Sequence, residues 1–289
     1  MTFNDNAKID SSKVRRRGRA TGIAAGGGGL LVIGLFIVSQ LIGVDVTGLA
    51  GLAGGGDTAT DEAIQNCETG ADANDGLDCR LAAASDSLDT YWSAQSSAAY
   101  VTPGVVLFDE QAGTGCGSAT SATGPFYCPA DQTIYIDPGF YEELRTTYGA
   151  TGGPLAEMYV IAHEWGHHIQ NLSGTMDTLD QQTTGPTSDG VRLELQADCF
   201  AGAWAGEAST VADSSGTPFL EPLTTDQVAQ ALSAAAAVGD DRIQEAATGQ
   251  VNPESWTHGA SDQRQKWFTA GFESGPAACD TFAVGAAGL

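Results

Sequence analysis

The apolar positions Leu155, Tyr159, Ala162, Gly166 and Ile169 recur at helical spacing, so this stretch predicts an amphipathic helix with one buried face. Gly153-Pro154 supplies its start, with proline at the first helical position. Glu157 puts an anion in the first turn, where the helix dipole favours it, and Gly174 supplies the stop. The same reasoning predicts helices over 77–93, with Leu81, Leu88 and Trp92 on one face, and over 140–148. Further helices are predicted over 191–205 behind Ser188 or Asp189, 225–238 behind Thr224, 240–247, and 262–272 capped by Ser261. Residues 105–108 form a short apolar run and 133–137 alternate, and both read as strands. The simplest assembly is an α+β fold, mostly helical, with a small antiparallel sheet.

Three of the four histidines lie inside the 155–172 helix. His163 and His167, four apart, share a face and can aim two imidazole nitrogens at one metal ion. Glu164 projects to the edge of that site, where it can reach a water but is poorly placed as a ligand; its natural role is general base. His168 reads as a structural or hydrogen-bonding histidine. A catalytic zinc site needs three protein ligands and an open position, so one ligand must come from elsewhere. Glu194 is the best candidate, on a separate and largely apolar helix with Asp198 one turn later. Asp198 is expected behind the metal, accepting the free N–H of His163 and so fixing its tautomer. A donor for the oxyanion is also required. His258, in a Gly-containing turn before a helix, is the first candidate, with Tyr135, Tyr159 and Arg264 as competitors.

Charge changes the picture at the N-terminus. Six of the twelve basic residues fall in the first nineteen positions against two acids, leaving 34 acids and 6 bases for the remainder. Such an acidic body excludes nucleic acid as a partner. Residues 20–44 carry no charge and include a continuous apolar run, Leu30-Leu-Val-Ile-Gly-Leu-Phe-Ile-Val38. About twenty such residues span a bilayer. The expected order is a cytoplasmic basic N-terminus (1–20), a transmembrane signal anchor (21–46), a flexible linker (47–65) and an extracytoplasmic domain (66–289), the positive-inside rule setting the orientation. A cleaved signal peptide is the rival, with small residues near Ala50 and Ala53 as a processing site. Membrane contact is expected through the anchor alone. Six cysteines in an exported domain argue for disulfides, and of the fifteen pairings the favoured set is Cys67 with Cys79, Cys116 with Cys128, and Cys199 with Cys279. The first two close short Gly-rich loops and leave the third pair over.

Four separated motifs then carry a resemblance: His163-Glu-Trp-Gly-His-His-Ile-Gln170, Arg192-Leu-Glu-Leu-Gln-Ala-Asp-Cys199, Gly124-Pro-Phe-Tyr-Cys-Pro129 and His258-Gly-Ala-Ser-Asp-Gln-Arg264. Together, and in their order along the chain, they resemble the neutral zinc metallopeptidases, a bacterial family of single-pass, exported HExxH proteins. The resemblance implies a zincin-like domain, zinc as cofactor, His163 and His167 as ligands, Glu164 as catalytic residue and a peptide or protein substrate. The pairing of Glu194 with Asp198 is further similar to the gluzincin branch. Trp165 is bulkier than the residue expected at its place in the motif. Two other classes of function compete: a zinc-stabilised, catalytically silent ectodomain that binds an envelope partner, against which the retained Glu164 argues, and an intramembrane HExxH protease, which needs spanning segments the sequence lacks.

Overall fold

The computed structural model describes residues 2–18, 61–95, 100–180 and 183–289. The expected anchor at 21–46 lies outside the described residues, among which no helix is long and apolar enough to cross a membrane. Strands β1 (Val14–Arg17), β2 (Asp61–Ala63), β3 (Gly104–Leu107), β6 (Phe126–Cys128) and β7 (Thr133–Ile136) form a sheet in the order β2-β1-β3-β7-β6. Between β3 and β6, β4 (Gln111–Thr114) and β5 (Gly117–Thr120) make a separate hairpin.

The sheet is mixed rather than antiparallel as expected. β1, β3 and β7 run parallel, and only the outer pairs β1–β2 and β6–β7 are antiparallel. The reason lies in the connection from β3 to β7: it carries the β4–β5 hairpin and β6, long enough for the crossover that parallel neighbours require. Alternation then works as it should. Val105, Leu107, Ile134 and Ile136 enter the main core, while Val106 and Tyr135 join Phe108 and Cys128 in a smaller cluster on the other face.

The helices are α1 (Gly70–Asp75), α2 (Leu77–Gln95), α3 (Phe140–Thr146), α4 (Pro154–Leu172), α5 (Asp189–Glu207), α6 (Thr225–Ala237), α7 (Asp240–Thr248) and α8 (Ser261–Ser274). Their starts follow the expected signals, with Pro154 in the first turn of α4 and the Ser188 and Thr224 side chains accepting from Val191 N and Gln227 N. At α8 the cap lies one residue earlier than expected: Ala260 is the N-cap, and the Ser261 hydroxyl instead donates to Ala236 O and Asp241.

Two close approaches fix how the central helices cross. A Cβ at Gly166 would lie 2.9 Å from Ala197 Cα, so α5 rides directly over α4 inside the histidine motif. A Cβ at Gly271 would lie 1.9 Å from Cys199 O and one at Gly202 would lie 2.0 Å from Phe268 O, so α8 lies backbone to backbone against α5. The favoured cysteine pairs all form; Cys199–Cys279 ties α5 to the C-terminal segment. The folded unit also starts earlier than residue 66. β2 lies in the expected linker, and residues 2–18, expected as a tail, supply β1 and bury Phe3, Ala7 and Val14.

Candidate metal centre

Helices α4 and α5 cross at Gly166 and Ala197, and this brings His163 and His167 against Glu194. His163 Nε2 lies 3.2 Å from one Glu194 oxygen and His167 Nε2 lies 3.4 Å from the other. Those three side chains are the metal-sized cluster among the described residues, their ligand atoms within 4.8 Å of one another. In a tetrahedral zinc site with bonds of about 2.0–2.1 Å, neighbouring ligand atoms stand about 3.3 Å apart. The two histidine-to-Glu194 distances match that separation.

The ring tautomers fit as well. His163 Nδ1 donates to Asp198 at 2.8 Å and His167 Nδ1 donates to the Gln170 side-chain oxygen at 2.8 Å, so in both rings Nδ1 is engaged from behind and Nε2 is the nitrogen left to bind a metal beside Glu194. Gln170, itself fully buried, is pinned by its amide donating to Leu193 O at 2.7 Å. The sequence signal that marks Gln170 is its position three residues after His167 on one helix face.

Asp198 is completely buried and saturated. Besides His163 it accepts from the Tyr159 hydroxyl and from Arg264, whose Nε and Nη2 donate at 2.7 and 3.0 Å. Burial opposes ionisation of Asp198, but Arg264 and His163 together hold its carboxyl below the usual range. The same carboxylate overcomes the burial of His163 and raises that imidazole to about 10 in the metal-free protein. Burial also disfavours the charged form of Glu194, yet His167 and His163 hold it well below the ordinary carboxylate range, with His258 adding to the effect.

Arg264 and Tyr159, considered as oxyanion donors, are therefore committed behind Asp198. Tyr135 is absent from the site altogether: it lies on β7, donates to Asp131 at 2.8 Å, and stacks on Phe126. His258 remains. It sits between α7 and α8 with its side chain about half exposed, and its charge is felt by Glu194. Asp240, at the start of α7, holds it in place by accepting from the backbone N–H groups of Thr257, His258 and Gly259 and from His258 Nδ1 at 3.2 Å. Nothing in the sequence links Asp240 to His258 across eighteen residues.

Glu164 is 7% exposed and, among the described residues, makes neither a hydrogen bond nor an ion pair. Burial raises its carboxyl, partly offset by His163 and His167. His168 is structural: fully buried, it donates Nε2–H to Val101 O at 2.6 Å and accepts at Nδ1 from the Tyr127 hydroxyl. Trp165 is accommodated on the far side of α4, where its indole N–H donates to the Tyr100 hydroxyl at 3.2 Å.

A family model described as putative neutral zinc metallopeptidase matches residues 3–282. An uncharacterised protein of Mycobacterium tuberculosis is 53% identical over 223 residues, covering 76% of each chain. YpfJ of Escherichia coli, also uncharacterised, is 38% identical over 269 residues, covering 90% of this chain and 88% of its own. No solved structure matches the chain.

Proposed function

We propose, for a chain that belongs to the putative neutral zinc metallopeptidase family, that it is an HExxH-type zinc metalloendopeptidase in which His163, His167 and Glu194 hold the metal and Glu164 is the general base. The observation that carries this reading is Glu164 itself. Its carboxyl stands beside the two ligand histidines with no side chain engaging it among the described residues, which leaves it free to take up and release a proton. Its raised pKa moves it toward the working range of a general base. The three ligand side chains are spaced for zinc, and zinc when bound supplies Lewis-acid polarisation of the scissile carbonyl and of the attacking water.

In this scheme Glu164 accepts a proton from the water as its oxygen forms the new C–O bond, then delivers that proton to the leaving nitrogen as the C–N bond breaks. The His258 ring, held at Nδ1 by Asp240, presents Nε2–H to the oxyanion that develops on the carbonyl oxygen. Asp198, Arg264 and Gln170 hold the ligand rings without touching substrate. Three disulfides support an extracytoplasmic setting, and the apolar run within 21–46 supports a place at the cell membrane.

Glu164→Gln tests the assignment, because Gln keeps the shape but cannot accept the proton at neutral pH. Peptide hydrolysis should fall by about 10²–10⁴-fold with zinc content unchanged. Casein or peptide cleavage that is equal in wild type and variant would reject the enzyme in favour of a silent, partner-binding ectodomain.

A further inference from the structure

The basic N-terminal arm, residues 2–18, is built into the interior of the fold. β1 lies between β2 and β3, pairing Arg15, Arg16 and Arg17 with Ala63, Glu62 and Asp61 on one side and Val14, Arg15 and Arg16 with Val105, Val106 and Leu107 on the other. Phe3, Ala7 and Val14 are buried in the main core. The Asn4 carbonyl passes so close to α1 that a Cβ at Gly70 would lie 1.8 Å from its oxygen. Asn4 N donates to Phe219 O and Gly70 N to Ala7 O, so the start of the arm is hydrogen-bonded to two separate segments.

Three of its five cations have carboxylate partners. Lys13 reaches Asp86 and Asp89 at 2.9 and 2.7 Å, Arg16 reaches Asp78 and Asp109, and Arg17 grips Asp61 through two nitrogens. Asp89 also accepts from the Tyr100 hydroxyl, which in turn accepts from Trp165 on the metal helix. Lifting the arm out would break two strand ladders, uncover Phe3 and Val14, and leave buried Asp86 without its cation.

Arg17 and Asp61, which lie at the two ends of the connection formed by residues 19–60, are directly opposed on neighbouring strands. A single membrane crossing within 19–60 would place β1 and β2 in different compartments, so docking of the arm and a single crossing exclude each other. A path that returns to its own side needs an even number of crossings, and 19–60 contains one uncharged run of suitable length. We propose that residues 2–18 share a compartment with the catalytic domain as one of its strands, so that β1 and β2 are not separated by a membrane. The basic cluster then serves as a set of ion-pair partners for the acidic domain rather than as a cytoplasmic orientation signal. This holds whether or not the domain is a peptidase.

The test uses the full chain in its host membrane. Arg15 and Ala63 are both exposed and face one another across β1 and β2. Single variants Arg15→Cys and Ala63→Cys, treated on intact cells with a membrane-impermeant maleimide, should both be labelled or both be shielded, and the double variant should cross-link on mild oxidation. Labelling of one with shielding of the other overturns the proposal, as does absence of the cross-link when both are equally labelled. Should the double variant misfold, the single variants still decide, because each substitution is at an exposed position and is read separately.

Discussion

Asp198→Asn is the sharpest perturbation of the centre, because one carboxylate serves four donors. One oxygen accepts from Tyr159, His163 Nδ1 and Arg264 Nη2, and the other accepts from Arg264 Nε. With the asparagine oxygen placed on the first side, its NH₂ meets Arg264 Nε–H, donor against donor. Arg264, 2% exposed, then keeps, among the described residues, only Glu194 at 3.9 Å as a counter-charge. Breaking a buried pair in this way costs about 3–5 kcal/mol of stability. Loss of the charge behind His163 should also weaken zinc binding by about 10–100-fold, or about 1.4–2.8 kcal/mol. Urea denaturation of the metal-free and zinc-loaded proteins measures the first, and chelator competition measures the second. In the double variant Asp198→Asn/Arg264→Met, part of the stability should return, because no charge is stranded, while zinc affinity should stay low. A single variant within 1 kcal/mol of wild type, binding zinc equally well, would refute the claim that this carboxylate supports the centre.

Other substitutions and conditions probe separate parts of the argument. Gly166→Ala sets a methyl 2.9 Å from Ala197 Cα, where ordinary contact is about 3.4–4 Å, so α4 and α5 must part; stability should fall by about 1–3 kcal/mol and zinc should bind more weakly, and unchanged values would show that the helix crossing does not set the ligand spacing. His163 in the metal-free protein is raised to about 10, so its pairing with Asp198 contributes stability fully below about pH 6.5 and loses that contribution as pH rises through about 10. Zinc must displace the same proton, so at pH 7 binding should release it and affinity should climb with pH; calorimetry in two buffers of different ionisation enthalpy reads this directly, and no net release would contradict it. Asp240→Asn should lower turnover with little change in zinc content, because it disturbs His258 and no ligand; comparable turnover in Asp240→Asn and wild type, with His258→Ala also active, would remove that pair from the reaction.

Local interactions made much of this protein legible from its sequence: the helices follow from apolar spacing with Pro154, Ser188 and Thr224 at their starts, and His163, Glu164 and His167 share a helix, so their juxtaposition is a matter of helical period alone. The three disulfide pairings were also within reach, since two close short loops and the third remains. What needed the tertiary structure is what depends on distant segments meeting. Parallel pairing of β1, β3 and β7 is set by how the crossover packs, and no strand carries that in its own alternation. Arg264 reaches Asp198 across 66 residues, and Asp240 reaches His258 from another helix, because glycine contacts let α8 lie on α5 and because the turn before α8 folds back on α7. The N-terminal arm shows the limit most plainly. Its arginines read as a charge signal when taken in order, but they become strand residues and ion-pair partners once Asp61, Asp78 and Asp109 are brought beside them, and burial of Phe3 and Val14 depends on surfaces that exist only in the folded chain.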